Sequence, residues 1–203
     1  MSQKNNLFYN LLSSTYIYIV FQRLMSATYV RRKFVKNHIK KGDNVIDLGC
    51  GPSSILRDLP KINYYGYDIN KFHIKYAKNK FSKKNYHFYC KKFNKNEVSK
   101  LPKFDCALLL GLVHHLSNEE FINIISLIKN TLKKNGKILI LDNVIVNNQN
   151  FISRFLIKND QGDNVRNLNQ YKLILNKYFS KIKYQIHNQI FIPYTWLKII
   201  CYK

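Results

Sequence analysis

The sequence predicts an α/β fold: a Rossmann-like, doubly wound, mostly parallel sheet, with N-terminal helices before it and an antiparallel hairpin closing it. Three observations carry this. Short β-prone runs alternate with amphipathic helical stretches through the middle of the chain, the pattern of βα units. One run, Val45 to Leu48, passes directly into a Gly-x-Gly turn at Gly49 and Gly51. The last third ends in two alternating runs, Ser180 to His187 and Ile190 to Tyr202, which read as an antiparallel pair.

In chain order, dense apolar residues from about Asn5 to Met25 read as a helix that buries one face, and a second helix follows from about Thr28 to Lys40. Strands are expected at Asn44 to Leu48, Asn63 to Asp68, Tyr86 to Cys90, Phe104 to Gly111 and Lys137 to Val146, with helices starting at Ser53, Asn70 and Asn118. Ser117 is placed to cap the helix that runs to Leu132, and Asn135-Gly136 to end that unit. Two polar helical stretches, Gln149 to Lys158 and Leu168 to Phe179, precede the terminal pair.

The 203 residues, 46% of them hydrophobic, suit a single domain with one substantial core. Within it, residues 1–41 form a helical lid, 42–146 a ligand-binding core, and 147–203 the acceptor-side helices and hairpin. The longest early apolar run, Tyr16 to Phe21, is too short for a signal peptide and is followed by Arg23. No run reaches the roughly 18 to 20 apolar residues of a spanning helix, so a cytoplasmic location is expected. Cys50, Cys90, Cys106 and Cys201 are widely spaced and form no Cys-x-x-Cys pair, which argues against a metal site or a disulfide framework. The net charge of +23 favours anionic partners. The lysines, however, are spread along the chain with abundant asparagine and isoleucine, as AT-rich coding alone would produce.

The chemistry is concentrated at strand ends. Two glycines one residue apart after a strand give a tight turn and let a ligand approach the main chain. A dinucleotide site would require a third glycine where Ser54 stands. Asp47 before the turn, and Asp68 twenty-one residues later at the end of YYGYD, suit a cationic ligand with a ribose. S-adenosylmethionine, with its ammonium and sulfonium, answers that description. As an alternative to holding ribose, Asp68 could cap the helix that follows.

The ordered segments VIDLGCGPSS, YGYDIN, FDCALLLGLVHHLSNEE and LKKNGKILILDNV resemble the motifs of class I S-adenosylmethionine-dependent methyltransferases over about residues 42–146. The resemblance implies that Asp47, Gly49, Cys50 and Gly51 line the methionine part, that Asp68 takes the ribose hydroxyls, that Ile69 packs on adenine, and that Leu110 and Gly111 meet the methionine amine. After the third strand many relatives place an aspartate that reads adenine, whereas this chain aligns Lys92 and Phe93 there. A lysine has no acceptor to offer.

Histidine titrates near neutrality, and His115, just after the fourth strand, is the candidate base for a hydroxyl acceptor, with His114 beside it more structural. Asp160, Gly162 and Arg166 in KNDQGDNVR resemble a segment of small bacterial methyltransferases. There Arg166 would grip an anionic acceptor, Asp160 would orient its hydroxyl, and Tyr194 of the last hairpin would border the pocket. The chain has Leu110-Gly111-Leu112-Val113 where base-amine and base-carbon methyltransferases carry their own motifs. The reading is methyl transfer to a small molecule or glycoconjugate, most simply at oxygen. An RNA methyltransferase and a catalytically silent binding module are the alternatives, and the terminal hairpin leaves an edge for pairing with a second copy.

Overall fold

The computed structural model describes residues 27–147, 149, 151, 154, 164–188 and 195–203. The elements are α1 (Ala27–Lys36), β1 (Asn44–Leu48), a 3-10 turn (Ser54–Arg57), β2 (Asn63–Asp68), α2 (Lys71–Lys80), β3 (Tyr86–Cys90), a single helical turn α3 (Lys95–Val98), β4 (Phe104–Leu110), a second 3-10 turn (Val113–His115), α4 (Asn118–Thr131), β5 (Leu132–Asn143), α5 (Leu168–Leu175), β6 (Lys181–Asn188) and β7 (Thr195–Tyr202). The expected helices at Asn5 to Met25 and Gln149 to Lys158 fall wholly or mostly outside the described residues.

The strands form one seven-stranded sheet in the order β3-β2-β1-β4-β5-β7-β6. The first five are parallel, while β7 inserts antiparallel between β5 and β6. The terminal hairpin is therefore joined to the sheet by its second strand, and β6 becomes the edge. Chain progression reverses between β1 and β4, and in open α/β sheets the crevice at the carboxyl ends of such strands is where ligands bind.

Both faces of the sheet are covered, which is why the central strands read as unbroken apolar runs. On one face Ile46, Leu48, Leu109, Ile138 and Ile140 pack with Phe121, Ile125 and Ile128 of α4 and Leu175 of α5. On the other, Val45, Leu108, Leu139 and Leu141 pack with Val30, Phe34 and Val35 of α1 and with Ile74 and Ala77 of α2. Side chains alternate along each strand, so adjacent residues of β1 serve opposite layers.

Several boundaries differ from the sequence-based expectation, four of them for a visible local reason. Helix α1 ends at Lys36 rather than Lys40, where His38 N–H turns back to the Val35 carbonyl at 2.9 Å and the chain reverses through Gly42. The helix expected from Ser53 is only a 3-10 turn, because Ser53 itself is left-handed at φ 53°. Strand β5 begins at Leu132, not Lys137, since Leu132 pairs with Phe104 before the register shifts to Cys106–Lys137. The expected Asn135-Gly136 break is thus an irregularity inside the strand. Helix α5 stops at Leu175, four residues before Phe179.

Caps fall where hydrogen-bonding side chains precede a helix. Asn70 accepts from Phe72 N–H at 2.9 Å and His73 N–H at 3.3 Å. Ser117 and Glu120 form a reciprocal capping box at α4. Ser117→Ala is expected to lower stability by about 1 kcal/mol, read as a shift in the urea midpoint at unchanged slope.

Candidate active site

At the end of β1 the chain turns through Gly49 (φ 68°) and Gly51 (φ 53°). Gly49 and Cys50 donate backbone hydrogen bonds to the Tyr67 carbonyl at 2.8 and 3.1 Å, which ties the loop to β2. The left-handed φ at Gly49 favours glycine, and a Cβ there would press on the Leu112 side chain, 2.8 Å from its Cδ1. Asp47 beneath the loop is 2% exposed, and its Oδ2 accepts from the Tyr64 hydroxyl at 2.6 Å. Burial pushes its carboxyl up to about 7, against the lowering effects of the Tyr64 hydrogen bond and the Arg31 charge and with a further raising effect from Asp68.

Asp68 is half-buried at the rim. Its Oδ2 accepts from Gly51 N–H and its Oδ1 from Asn70 N–H, each at 2.8 Å. The cap of α2 is Asn70, so capping does not account for Asp68. Ile69 beside it is 70% exposed, an apolar surface at the mouth of the crevice.

Across the crevice Gly111 follows β4 at φ 74°, and a Cβ there would lie 2.6 Å from Arg31 Nη2. Arg31 of α1 thus lies over the end of β4 and within electrostatic reach of Asp47. Next in the chain, His114 is buried and its Nδ1 pairs with Asp142 Oδ1, while its backbone N–H donates to Asp142 Oδ2 at 2.9 Å. The Asp142 carboxylate, fully enclosed at the end of β5, is pushed up by burial, but the His114 charge, the His114 hydrogen bond and the Asn143 amide outweigh this and hold it below its ordinary value. The His115 ring is exposed and lies 4.0 Å from the His114 ring, centroid to centroid.

Arg166 is 3% exposed and fastens this turn from behind. Its guanidinium donates to the carbonyls of Val113 (2.9 Å), Leu116 (2.7 Å) and Asn164 (3.1 Å) and to Asn118 Oδ1 (2.9 Å), and it lies 5.3 Å from the Phe121 ring centroid.

A family model described as a methyltransferase domain matches residues 39–189, well over half of the 203. The chain belongs to this methyltransferase family. It is an S-adenosylmethionine-dependent enzyme of the class I fold. No curated protein matches it in sequence. Among solved structures it is similar to an S-adenosylmethionine-dependent methyltransferase from Archaeoglobus fulgidus, at 17% identity and TM-score 0.69, over 92% of this chain and 99% of that one. Human N-acetylserotonin methyltransferase matches at 19% identity and TM-score 0.68, over 98% of this chain and 59% of its own length. Mitomycin 7-O-methyltransferase matches at 15% and 0.68, over 98% and 62%. The chain thus spans about three fifths of the two larger enzymes.

The crevice of this methyltransferase fits S-adenosylmethionine. The glycine turn leaves bare main chain at the end of β1, Asp68 offers acceptor oxygens at the rim, Ile69 offers an apolar surface, and two carboxylates complement a ligand with two cationic centres. Gly49, Gly51, Asp68, Leu110 and Gly111 stand at or just past the carboxyl ends of β1, β2 and β4, with Cys50 in the loop and Asp47 below it.

Other expected site residues are placed differently. The Phe93 side chain is buried in the core with its ring 5.3 Å from Tyr67, an apolar environment that removes it from the crevice. Lys92 is exposed and turns toward Glu120 of α4 at 3.7 Å, leaving no side chain of this pair to read adenine. Arg166 is saturated by carbonyls and cannot grip an anionic acceptor, since its donors are already used within the fold. Asp160, Gly162 and Tyr194 lie outside the described residues.

Arg31 and Asp142 were not evident from sequence. Arg31 is one of two adjacent arginines on α1, and Arg32 instead pairs with Asp58 at 3.1 Å. Asp142 lies near the end of a strand that reads only as core, and its one clue was an acid in LILDN.

Asp68→Ala should weaken S-adenosylhomocysteine binding by about 1 to 3 kcal/mol, measured by calorimetry. Asp47 predicts a pH dependence. A cationic ligand favours its ionised form, so affinity should rise as pH climbs through about 7, and Asp47→Asn should flatten that rise. In the ligand-free protein the raised pKa binds a proton more tightly folded than unfolded, so this group's effect is a loss of stability between about pH 4 and 7, seen as a falling melting temperature.

Proposed function

We propose that the enzyme methylates a hydroxyl of a small molecule or glycoconjugate, with His114 as the proton acceptor. The observation that supports this is the pairing of His114 Nδ1 with the buried Asp142 carboxylate. A carboxylate on one ring nitrogen fixes the tautomer, orients the ring and stabilises the imidazolium formed when the other nitrogen takes a proton. Nε2 is the remaining ring nitrogen. Arg166 and Asp142 place opposite charges in one buried unit with Tyr171, so a second cation acts near the carboxylate that holds the ring.

This changes the assignment made from sequence, where His115 was the base. His115 lies at the surface of the same turn, and we assign it to the wall facing the acceptor. Arg31 would meet the carboxylate of the cofactor's amino-acid part, because it is a cation against Gly111 at the end of β4 and within electrostatic reach of Asp47. Asp68 would hold the ribose. When bound, S-adenosylmethionine supplies a methyl group on a positively charged sulfur, and the protein's task is alignment, exclusion of water and removal of the acceptor's proton. The names of two structural neighbours, a mitomycin 7-O-methyltransferase and an N-acetylserotonin methyltransferase, support a small acceptor. A cytoplasmic location is part of the reading, in keeping with the absence, among the described residues, of any helix long and apolar enough to cross a membrane.

The test is transfer of labelled methyl to a panel of hydroxyl acceptors, beginning with sugars and glycolipids. With an acceptor in hand, His114→Ala should lower kcat by about a hundredfold or more with cofactor affinity unchanged, and Asp142→Asn should lower it while altering the pH profile. His115→Ala should act mainly on the acceptor's KM. Loss of kcat in His115→Ala with full retention in His114→Ala would return the base to His115.

A further inference from the structure

Away from the crevice, positive charges converge on the α1 side of the terminal strands. Side chains alternate along a strand, so Lys183, Gln185 and His187 of β6 share one face. The register sets Lys183 beside Ile200, Gln185 beside Lys198 and His187 beside Trp196. Trp196 and Ile200 belong to the apolar layer that holds Val30, Phe34 and Val35 of α1, so this is the face α1 covers in part. Lys33 of α1 is close enough to act on both Lys198 and His187, and His38, just beyond α1, feels Lys137 of β5 and Lys183 of β6. Among the described residues, the charges acting on His38, His187 and Lys198 are those of lysines. Four elements or their ends thus bring six basic side chains together against their own repulsion. Coding bias scatters lysines, and it does not assemble them around two histidines in this way.

We infer that this face, formed by Lys33, His38, Lys137, Lys183, His187 and Lys198, is a docking surface for the phosphodiester backbone of a single-stranded nucleic acid. The shape of the charge distribution selects that partner. On this face of β6 Lys183 and His187 stand four residues apart, about 13 Å at the strand repeat, and Lys198 on β7 is paired with Gln185 between them, an arrangement that follows a line of phosphates. A bilayer would call for apolar side chains to insert. Here Trp196 and Ile200 are buried and Tyr202 is partly buried against the same layer, while the exposed Ile186 stands on the opposite face of β6. The surface is separate from the crevice and does not depend on the acceptor proposed above. The two histidines add a pH response. His38 is held below its ordinary value by burial and by Lys137 and Lys183, and His187 by burial and by Lys198 and Lys33, so a polyanion that offsets those lysines favours their protonation.

The test is fluorescence anisotropy of a short labelled oligouridylate across a salt series. It compares the full chain with a patch variant (Lys33→Gln, Lys183→Gln, Lys198→Gln) and a control of equal net charge (Lys78→Gln, Lys84→Gln, Lys95→Gln). For single strands each neutralised phosphate contributes about 0.7 to the slope of log affinity against log salt. The patch variant should therefore bind at least tenfold more weakly, with a slope shallower by about 2, while the control stays near the parent. Parent affinity should rise between pH 7.5 and 5.5. Equal weakening by both variants would reduce the effect to net charge and overturn the assignment, as would no weakening by either. Capture of the parent by phosphatidylserine vesicles that is lost in the patch variant, with oligouridylate binding unaffected, would give the surface to a membrane instead. Matching melting curves and S-adenosylhomocysteine affinities for the variants keep folding and the cofactor site out of the comparison.

Discussion

The turn after β4 is organised around one buried carboxylate. Asp142, fully enclosed at the carboxyl end of β5, holds both the backbone N–H and the ring of His114. A charge in that position is costly unless it is paired and hydrogen-bonded. The turn Val113–His115 supplies the pairing, so its conformation is set from below by the sheet. From behind, Arg166 binds the carbonyls at both ends of the same turn. The segment from Asn164 to Arg166 is thereby locked to the end of β4, with Asn164 N–H donating to the His114 carbonyl at 3.0 Å.

Two carboxylates at the ends of parallel strands are shifted in opposite directions by the same physics. Both Asp47 and Asp142 are desolvated, which favours the neutral acid. Asp142 has an imidazole in direct contact and a backbone amide as well, and its carboxyl stays below the ordinary range. Asp47 has a neutral phenol in contact and a guanidinium acting at longer range, and it rises to about 7. Asp47 is therefore responsive to a cationic ligand, whereas Asp142 is a fixed charge suited to orienting a base. Arg31 connects the first of these to α1, so the helix that covers the crevice also contributes to its electrostatics.

Much of the sheet was legible because each strand carries a local signature. β1, β2 and β3 have the bounds read from sequence, since the runs are ended by a glycine turn, by an acid and by the lysine pair Lys91-Lys92 respectively. The capping box at Ser117 was legible for the same reason: its partners lie three residues apart. Boundaries were misread where a distant contact outweighs the local signal. Leu132 extends β5 because it pairs with Phe104, twenty-eight residues away. Asp68 could not be separated from a cap by sequence, because Asn70 two residues later satisfies the same local pattern, and only the hydrogen bonds show which of the two caps α2.

By itself the sequence determined the layered α/β architecture, the glycine turn after β1 and the pair of acids that suit a cationic nucleoside, because each is written in periodicity or in residues a few positions apart. The tertiary structure decided what the polar side chains do. It put Arg166 against carbonyls some fifty residues earlier, withdrew Phe93 into the core, brought Asp142 to His114 across twenty-eight residues, and set Lys33 beside the terminal hairpin. The reason is range. Backbone preference and hydrophobic alternation are local and repeat along the chain, whereas the role of a charged group depends on its burial and its partner, and both are fixed only when distant strands are laid side by side.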